Sequence, residues 1–212
     1  LYSLCLTDLT KSCFINIFDV KKPPEKSNSE KNSILLLQNH NYYKLLIFYC
    51  EMINATMCLL RSEGNVLFLY RNRGEGDIHH GWYVPPGGQT ERGERGIDCI
   101  TREFKEETNL DLIGPKLRAI VTYYNEGRVL GGKENPEDWV VEVYEAVNFS
   151  GTLKEEHSKA KPLWVPESEI ENLKTYPGDR RVFELLREQG VFEVIVQYSG
   201  QELIRFESRR VA

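Results

Sequence analysis

The chain has 212 residues, 41% hydrophobic and 28% charged, which is the composition of an ordinary soluble protein long enough to bury one good core, so one domain with an appendage is the natural organisation. A formal net charge of -5 excludes a broadly basic surface that would coat nucleic acid, and no polymeric nucleic-acid partner is expected. The five cysteines, Cys5, Cys13, Cys50, Cys58 and Cys99, are odd in number and lack any C-x-x-C spacing; they read as reduced thiols of a cytoplasmic protein rather than a zinc or disulfide framework.

The chain begins at Leu1 rather than Met, which leaves its native amino terminus open. Residues 1–51 read as an extension outside the main domain. Apolar scraps there flank Lys21-Lys-Pro-Pro-Glu-Lys-Ser-Asn-Ser-Glu-Lys-Asn32, a polar, proline-containing run of the flexible-linker type. The most apolar stretch, Leu45-Leu-Ile-Phe-Tyr-Cys50, lies between Lys44 and Glu51 and is far too short for a bilayer span, so no membrane association is expected.

From Met52 onward the pattern is that of a folded domain, 52–212. Ala55–Leu60 and Asn65–Tyr70 are strand-like and joined by the turn-forming Ser62-Glu-Gly64, predicting a hairpin. A polar glycine-rich loop, the pair Trp82-Tyr83 and then Pro85-Pro86-Gly87-Gly88 follow. Between Glu94 and Thr108, Ile97, Ile100 and Phe104 recur at spacings of three and four, predicting a helix docked by that stripe. It should end at Asn109, a residue that tolerates the left-handed conformation. Leu117–Tyr124 and Trp139–Val147 predict strands, Pro166–Leu173 and Asp179–Glu188 helices, and Phe192–Gln197 with Leu203–Phe206 a closing hairpin.

The helix also carries Glu103, Glu106 and Glu107 on one side. Like charges this close repel, by a few tenths of a kcal/mol per pair (roughly) on an exposed helix, which invites a neutralising cation. Hard oxygen donors suit Mg2+, with Mn2+ as an alternative, and the absence of an H-E-x-x-H or Cys/His cluster argues against zinc. Standing alone, such a face reads more readily as a solvated acidic surface. It does not stand alone: Pro85-Pro86-Gly87-Gly88 precedes it, where glycines allow close backbone approach, and Arg102 sits among the acids, able to fork onto Glu94 or Glu103.

Taken whole, Gly88-x5-Glu94-x7-Arg102-Glu103-Phe104-x-Glu106-Glu107-x-Asn109-Leu110 resembles the signature of the Nudix hydrolase family. It departs at Asn109, where the family has the glycine that ends the helix; asparagine is the mildest substitute. The resemblance implies an α+β fold, an α/β/α sandwich around a central mixed sheet, from Met52 to the end. It implies divalent-ion ligands at Glu103, Glu106 and Glu107 with the Gly87 carbonyl, an orienting role for Arg102, and a supporting role for Glu94 at the positive end of the helix. The reaction it implies is attack of an activated water on a diphosphate linkage of a small nucleotide. Glu106 or Glu103 is the candidate base, or an acid from Lys154-Glu-Glu-His-Ser-Lys159, where similar proteins supply a further ligand. Glu156 and Glu155 are the acids there, and His157 reads as a solvent-facing residue.

Arg71 and Arg73 are candidates for substrate phosphates, and Trp82 and Tyr83, with Tyr123-Tyr124, for stacking on a base or for filling the core. The layout from Tyr176-Pro-Gly-Asp179 onward is similar to the oxidised-purine nucleoside triphosphatases of the family, in some of which the acid matching Asp179 contacts the purine. Those enzymes of the human type have an asparagine soon after the tryptophan, whereas Trp82 is followed by Tyr83-Val84, so base selection is expected to be different or loose here. An ADP-ribose or nucleotide-sugar pyrophosphatase is the rival enzyme reading, and a catalytically silent nucleotide-binding module the rival from another class. RNA cap removal would require a basic groove that the sequence does not display. A homodimer is compatible with all of these.

Overall fold

The computed structural model describes residues 52–72, 80–127, 137–155 and 160–212, together with the strand backbone at 13–20, 34–39, 42–50, 129–130 and 133–134. The chain divides into two compact units, Leu1–Met52 and Ile53–Ala212. In the first, β1 (Cys13–Val20), β2 (Ile34–Asn39) and β3 (Tyr42–Cys50) form an antiparallel sheet in the order β1-β3-β2. The sequence pattern had given no regular structure there. The linker-like run beginning at Lys21 lies outside the described residues.

The second unit opens with the expected hairpin, β4 (Ile53–Ser62) and β5 (Asn65–Tyr70), turned at Glu63 and Gly64, both at positive φ. Short strands β6 (Tyr83–Val84) and β7 (Gly87–Gln89) add to β5 and β4 respectively. Helix α1 (Gly96–Thr108) follows, then β8 (Leu110–Ile113), β9 (Lys116–Glu126), the small pair β10 (Val129–Leu130) and β11 (Lys133–Glu134), β12 (Trp139–Ala146), β13 (Asn148–Gly151) and β14 (Lys161–Pro166). The helical segment expected at Pro166–Leu173 is a 3-10 helix, Glu167–Asn172, whose first residues follow Pro166 directly. Helix α2 (Pro177–Leu185) and the hairpin β15 (Phe192–Ser199) and β16 (Glu202–Arg210) close the chain.

The principal sheet runs β14-β5-β4-β12-β9-β15-β16. It is mixed: β4 and β12 are parallel, as are β9 and β15, and the other principal pairs are antiparallel. Residues Ala55–Leu60 of β4 and Val66–Leu69 of β5 are all buried, which is how a strand covered on both faces reads. Alternation then sends Met57, Leu59, Val66 and Phe68 into one core with Val182, Phe183 and Leu186 of the α2 segment. Cys58, Leu60 and Leu67 enter a second core with Ile100 and Phe104 of α1. The two helices therefore cover opposite faces, the sandwich expected from the sequence. Ile100 and Phe104 are fully buried, each contributing about 1.5–3 kcal/mol, and this docking fixes which side of α1 remains for its carboxylates. Among the described residues no helix is long and apolar enough to cross a membrane.

Candidate active site

The carboxyl end of α1 is built as expected. Asn109 has φ 63 and ψ 9, and its backbone N–H returns to the Lys105 carbonyl, so asparagine occupies the left-handed stop that glycine fills elsewhere. Its side chain also donates to the Thr152 carbonyl at 2.9 Å, a contact no glycine could make. The Lys154 backbone N–H donates to the Thr108 carbonyl at 3.1 Å, and Lys154 Nζ donates to the Glu106 carbonyl.

The loop before α1 is clamped from below. Strand β7 pairs with β4 through Gly87↔Met57 and Gly88↔Thr56, Pro86 O accepts from Cys58 N at 2.9 Å, and Thr56 Oγ1 donates to buried Cys99 Sγ on α1 at 3.3 Å. A Cβ on Gly87 would lie 2.1 Å from the Thr56 carbonyl oxygen, and one on Gly88 would lie 2.4 Å from the carboxyl carbon of Glu103. These two glycines let the backbone reach β4 on one side and the carboxylates of α1 on the other.

Arg102 organises the acids. Its Nε and Nη2 donate to the two oxygens of Glu94, both at 2.9 Å, and its Nη1 donates to Glu103 Oε1 at 2.5 Å. Glu106 stands 3.9 Å from the same nitrogen and is exposed. Hydrogen bonding from Arg102 holds the Glu94 carboxyl down at about 2, and the same bonds raise the guanidinium further above its ordinary value. Glu107 behaves oppositely: burial, reinforced by the charge of Glu103, pushes it up to about 7, against the pull of the Gly87 N–H, Arg71 and Lys154. The Gly87 N–H donates to Glu107 Oε2 at 2.9 Å.

The three glutamates are thus gathered on one turn, Glu103 and Glu106 toward Arg102 and Glu107 toward the Gly87 N–H. Among the described residues no three His, Cys, Asp or Glu side chains close on a common centre. The physical reason is local: Glu103 takes a bond from Arg102 and Glu107 one from the Gly87 N–H, donors within reach of each.

A second cluster surrounds the start of α2. Trp82 stacks on Tyr176 with ring centroids 4.4 Å apart, and Lys174 Nζ lies 5.1 Å from the Trp82 ring. Asp179, in the first turn of α2, accepts from Tyr123 Oη at 2.7 Å. Gly178 has no room for a side chain beside Val196 and Tyr198, and its N–H donates to Tyr198 Oη at 2.8 Å. Tyr83 instead packs against Tyr70 at 5.0 Å and against the first core, while Tyr124 is half-buried. The Arg71 backbone N–H bonds the Trp82 carbonyl at 2.9 Å, and its positive charge is among the lesser influences that lower the Glu107 carboxyl. Glu155 is exposed, and Arg73, Glu156 and His157 lie outside the described residues.

Three residues at these clusters escaped the sequence reading. Tyr176 and Lys174 gain meaning only from Trp82, more than ninety positions away in the chain. Lys154 stands directly before the acids Glu155 and Glu156, and that place is the one signal the sequence holds for it.

Residues 51–186 match the NUDIX domain family. This chain belongs to the Nudix hydrolase family. It is an enzyme of the class acting on pyrophosphate bonds, and over 154 residues it is 29% identical to the uncharacterized Nudix hydrolase YvcI of Bacillus subtilis strain 168, spanning 72% of this chain and 91% of that protein. Its fold is similar to that of a MutT protein from Bacillus halodurans, with TM-score 0.64, 24% identity and coverage of 74% of this chain and 97% of the other. It is also similar to the NUDIX domain of Shewanella oneidensis NrtR, solved in complex with ADP ribose, with TM-score 0.53, 15% identity and coverage of 66% and 88%.

Proposed function

We propose that residues 52–212 form a Mg2+-dependent hydrolase of nucleoside triphosphates, including oxidised purines such as 8-oxo-dGTP, releasing monophosphate and pyrophosphate in the cytoplasm. The observation that carries this reading is the gathering of Glu103, Glu106 and Glu107 on α1 against the Gly87–Gly88 backbone, with Arg102 holding Glu103 and the Gly87 N–H bonded to Glu107. The aromatic and acidic cluster of Trp82, Tyr176 and Asp179 suits a purine, and the carboxylates of α1 suit a polyphosphate with its cation.

The donor set fits a hard divalent cation. Glu103, Glu106 and Glu107 supply carboxylate oxygens on one turn, the Gly88 cradle admits Glu103 without a Cβ in its way, and burial of Glu107 beside Glu103 creates a local demand for positive charge. When bound there, Mg2+ or Mn2+ would acidify a water and neutralise phosphate oxygens. Arg102 fixes Glu94 and Glu103 in place. Glu106 or Glu103 takes the proton as the water oxygen bonds to phosphorus; the anhydride P–O bond breaks and pyrophosphate leaves with its electron pair. Arg71 holds a phosphate, and Trp82 with Asp179 holds the base. The two free cysteines among the described residues, Cys58 and Cys99, are buried and accord with a reducing compartment.

The test is turnover with Mg2+ over oxidised and normal nucleoside triphosphates, ADP-ribose and nucleotide sugars, with Glu107→Gln as control. Monophosphate plus pyrophosphate from a purine triphosphate, lost in the variant, is the expected result. Preferential cleavage of ADP-ribose or a sugar nucleotide would move the enzyme to that class, and metal binding without any turnover would make it a silent nucleotide-binding module.

A further inference from the structure

Strand β16 ends the principal sheet, and among the described residues its one strand neighbour is β15. The N–H and C=O groups along its other edge form a template for a further strand, which proteins commonly block with charge, a proline or a bulge. A bulge is present at one end only: the register steps from Gln197↔Arg205 to Tyr198↔Leu203 and leaves Ile204 unopposed. Beyond it, Arg205 to Arg210 run in unbroken register against β15, and the Val211 N–H continues the ladder to the Val191 carbonyl at 2.8 Å.

The side chains of this regular stretch do not repel a strand of the same kind. Phe206, Ser208 and Arg210 oppose the buried Val196, Val194 and Phe192, so Arg205, Glu207 and Arg209 share the other face, with Glu193 opposite Arg209. All four are exposed. Arg205 forks onto Glu207 at 2.8 and 2.6 Å, and Arg209 bonds Glu193, so the charges on that face sum to zero. An edge guarded by charge would carry one sign; here the sign alternates.

A second copy of the strand, laid antiparallel about a two-fold axis normal to the sheet, opposes residues of the same face, so the axis passes through a residue. Charge and the bulge then choose among the positions. An axis at Arg205, Arg209 or Arg210 opposes two arginines. One at Glu207 opposes two glutamates and sets Arg205 against Arg209. One at Phe206 runs the ladder into the bulge at Ile204. An axis at Ser208 opposes no like charges: it sets Glu207 against the second copy's Arg209 twice over, Phe206 against its Arg210, and Arg205 against its exposed Val211.

We propose that β16 is a self-complementary edge through which two copies of this chain join their sheets, in the register that places Ser208 on the two-fold axis. A pairing of this length buries less than about 1,200 Å2 in total, the range of weak contacts, and its ion pairs lie at the surface, so the association is concentration- and salt-dependent.

The experiment is sedimentation velocity of the full chain from about 5 to 500 µM at low and high salt. The parent should pass from monomer to dimer across that range, with Kd rising several-fold in high salt. Glu207→Arg sets arginine against Arg209, and Arg209→Glu sets glutamate against Glu207, so each variant alone should dimerise at least about tenfold more weakly. A mixture of the two variants opposes unlike charges at both contacts and should associate with a Kd within about threefold of the parent's. A parent that stays monomeric, a dimer indifferent to either substitution, or a mixture that associates no better than its components would overturn the proposal. The axis at Phe206 would instead leave Arg209→Glu dimeric. None of these readings needs turnover, so they are independent of the nucleotide assignment.

Discussion

Arg102 reaches back across eight residues to grip Glu94 through both its Nε and Nη2, each at 2.9 Å, while its remaining Nη1 bonds Glu103. A single guanidinium therefore couples the loop before α1 to a carboxylate proposed to bind metal. A lysine in its place has one point charge and cannot make the paired bond. Arg102→Lys should lower kcat by about 10–100-fold, the range typical when a partner that orients a metal ligand is lost, with little change in KM. The complementary check is acid unfolding. The Glu94 carboxyl is depressed in the fold, to about 2 from 4.5, so its contribution is complete above the unfolded value and is lost as pH falls through the interval toward 2. Glu94→Gln should flatten the pH dependence of stability in that interval, and a profile unchanged from the parent would count against the pairing.

The two loop glycines should fail in different ways when given a methyl group. At Gly87 the new Cβ meets the backbone of β4, 2.1 Å from the Thr56 carbonyl oxygen; backbone in a sheet cannot yield, and Gly87→Ala should cost about 1–3 kcal/mol in chemical denaturation. At Gly88 it meets the end of the flexible Glu103 side chain. Gly88→Ala should melt within a few degrees of the parent yet bind Mn2+ about tenfold more weakly, because the carboxylate has moved. Equal losses of stability in both variants would contradict the division.

Much of this was legible in the chain. The hairpin of β4 and β5, the stripe that docks α1 and the stop at Asn109 follow from local periodicity and turn chemistry, and the structure places each within a few residues of expectation. The joining of Trp82 to Tyr176 was not legible, because it depends on how β6 and the start of α2 meet in space. The hold of Arg102 on Glu94 and Glu103 was legible in their spacing, whereas the bond from the Gly87 N–H to Glu107 was not, because it depends on how β7 meets α1. The segment at 166–173 has helical composition, yet it is too short and too closely tied to β14 to settle into an α-helix.

Glu145 lies between two arginines, bonded to Arg61 Nε at 2.6 Å and to Arg118 Nη1, and Arg61 also reaches Glu167 at 2.7 Å. Arg118 further donates to the carbonyls of Leu186, Glu188 and Gly190, closing the carboxyl end of α2. Side-chain exposures of 11%, 17% and 18% for Arg118, Glu145 and Arg61 make this chain of charges largely shielded from water. Removal of Glu145 leaves two cations facing each other without the anion between them, and burial together with Arg61 already lowers the Arg118 guanidinium. Glu145→Ala should therefore cost about 3–5 kcal/mol. Since none of these side chains touches the candidate site, kcat at a temperature where the variant stays folded should match the parent, and a large kcat change would show that α2 is coupled to catalysis.

Glu107 gives the sharpest pH signature. Its carboxyl is raised from 4.5 to about 7 by burial beside Glu103, so the fold prefers the protonated form. The sign follows: between pH 4.5 and 7 the unfolded chain binds fewer protons at this group than the native one, and stability falls as pH rises through that window. The shift corresponds to a loss on the order of 3 kcal/mol. Glu107→Gln, neutral at every pH, should lack that downward slope and be more stable than the parent above pH 7 when a chelator is present. Mg2+ should restore the parent but not the variant, because a cation beside the ionised carboxylate offsets the cost that burial imposes. Urea titrations at pH 5, 6, 7 and 8, with chelator or with Mg2+, would read all four combinations. Parallel pH profiles for parent and variant in chelator would show that Glu107 ionises freely and that its burial does not create the demand for a cation.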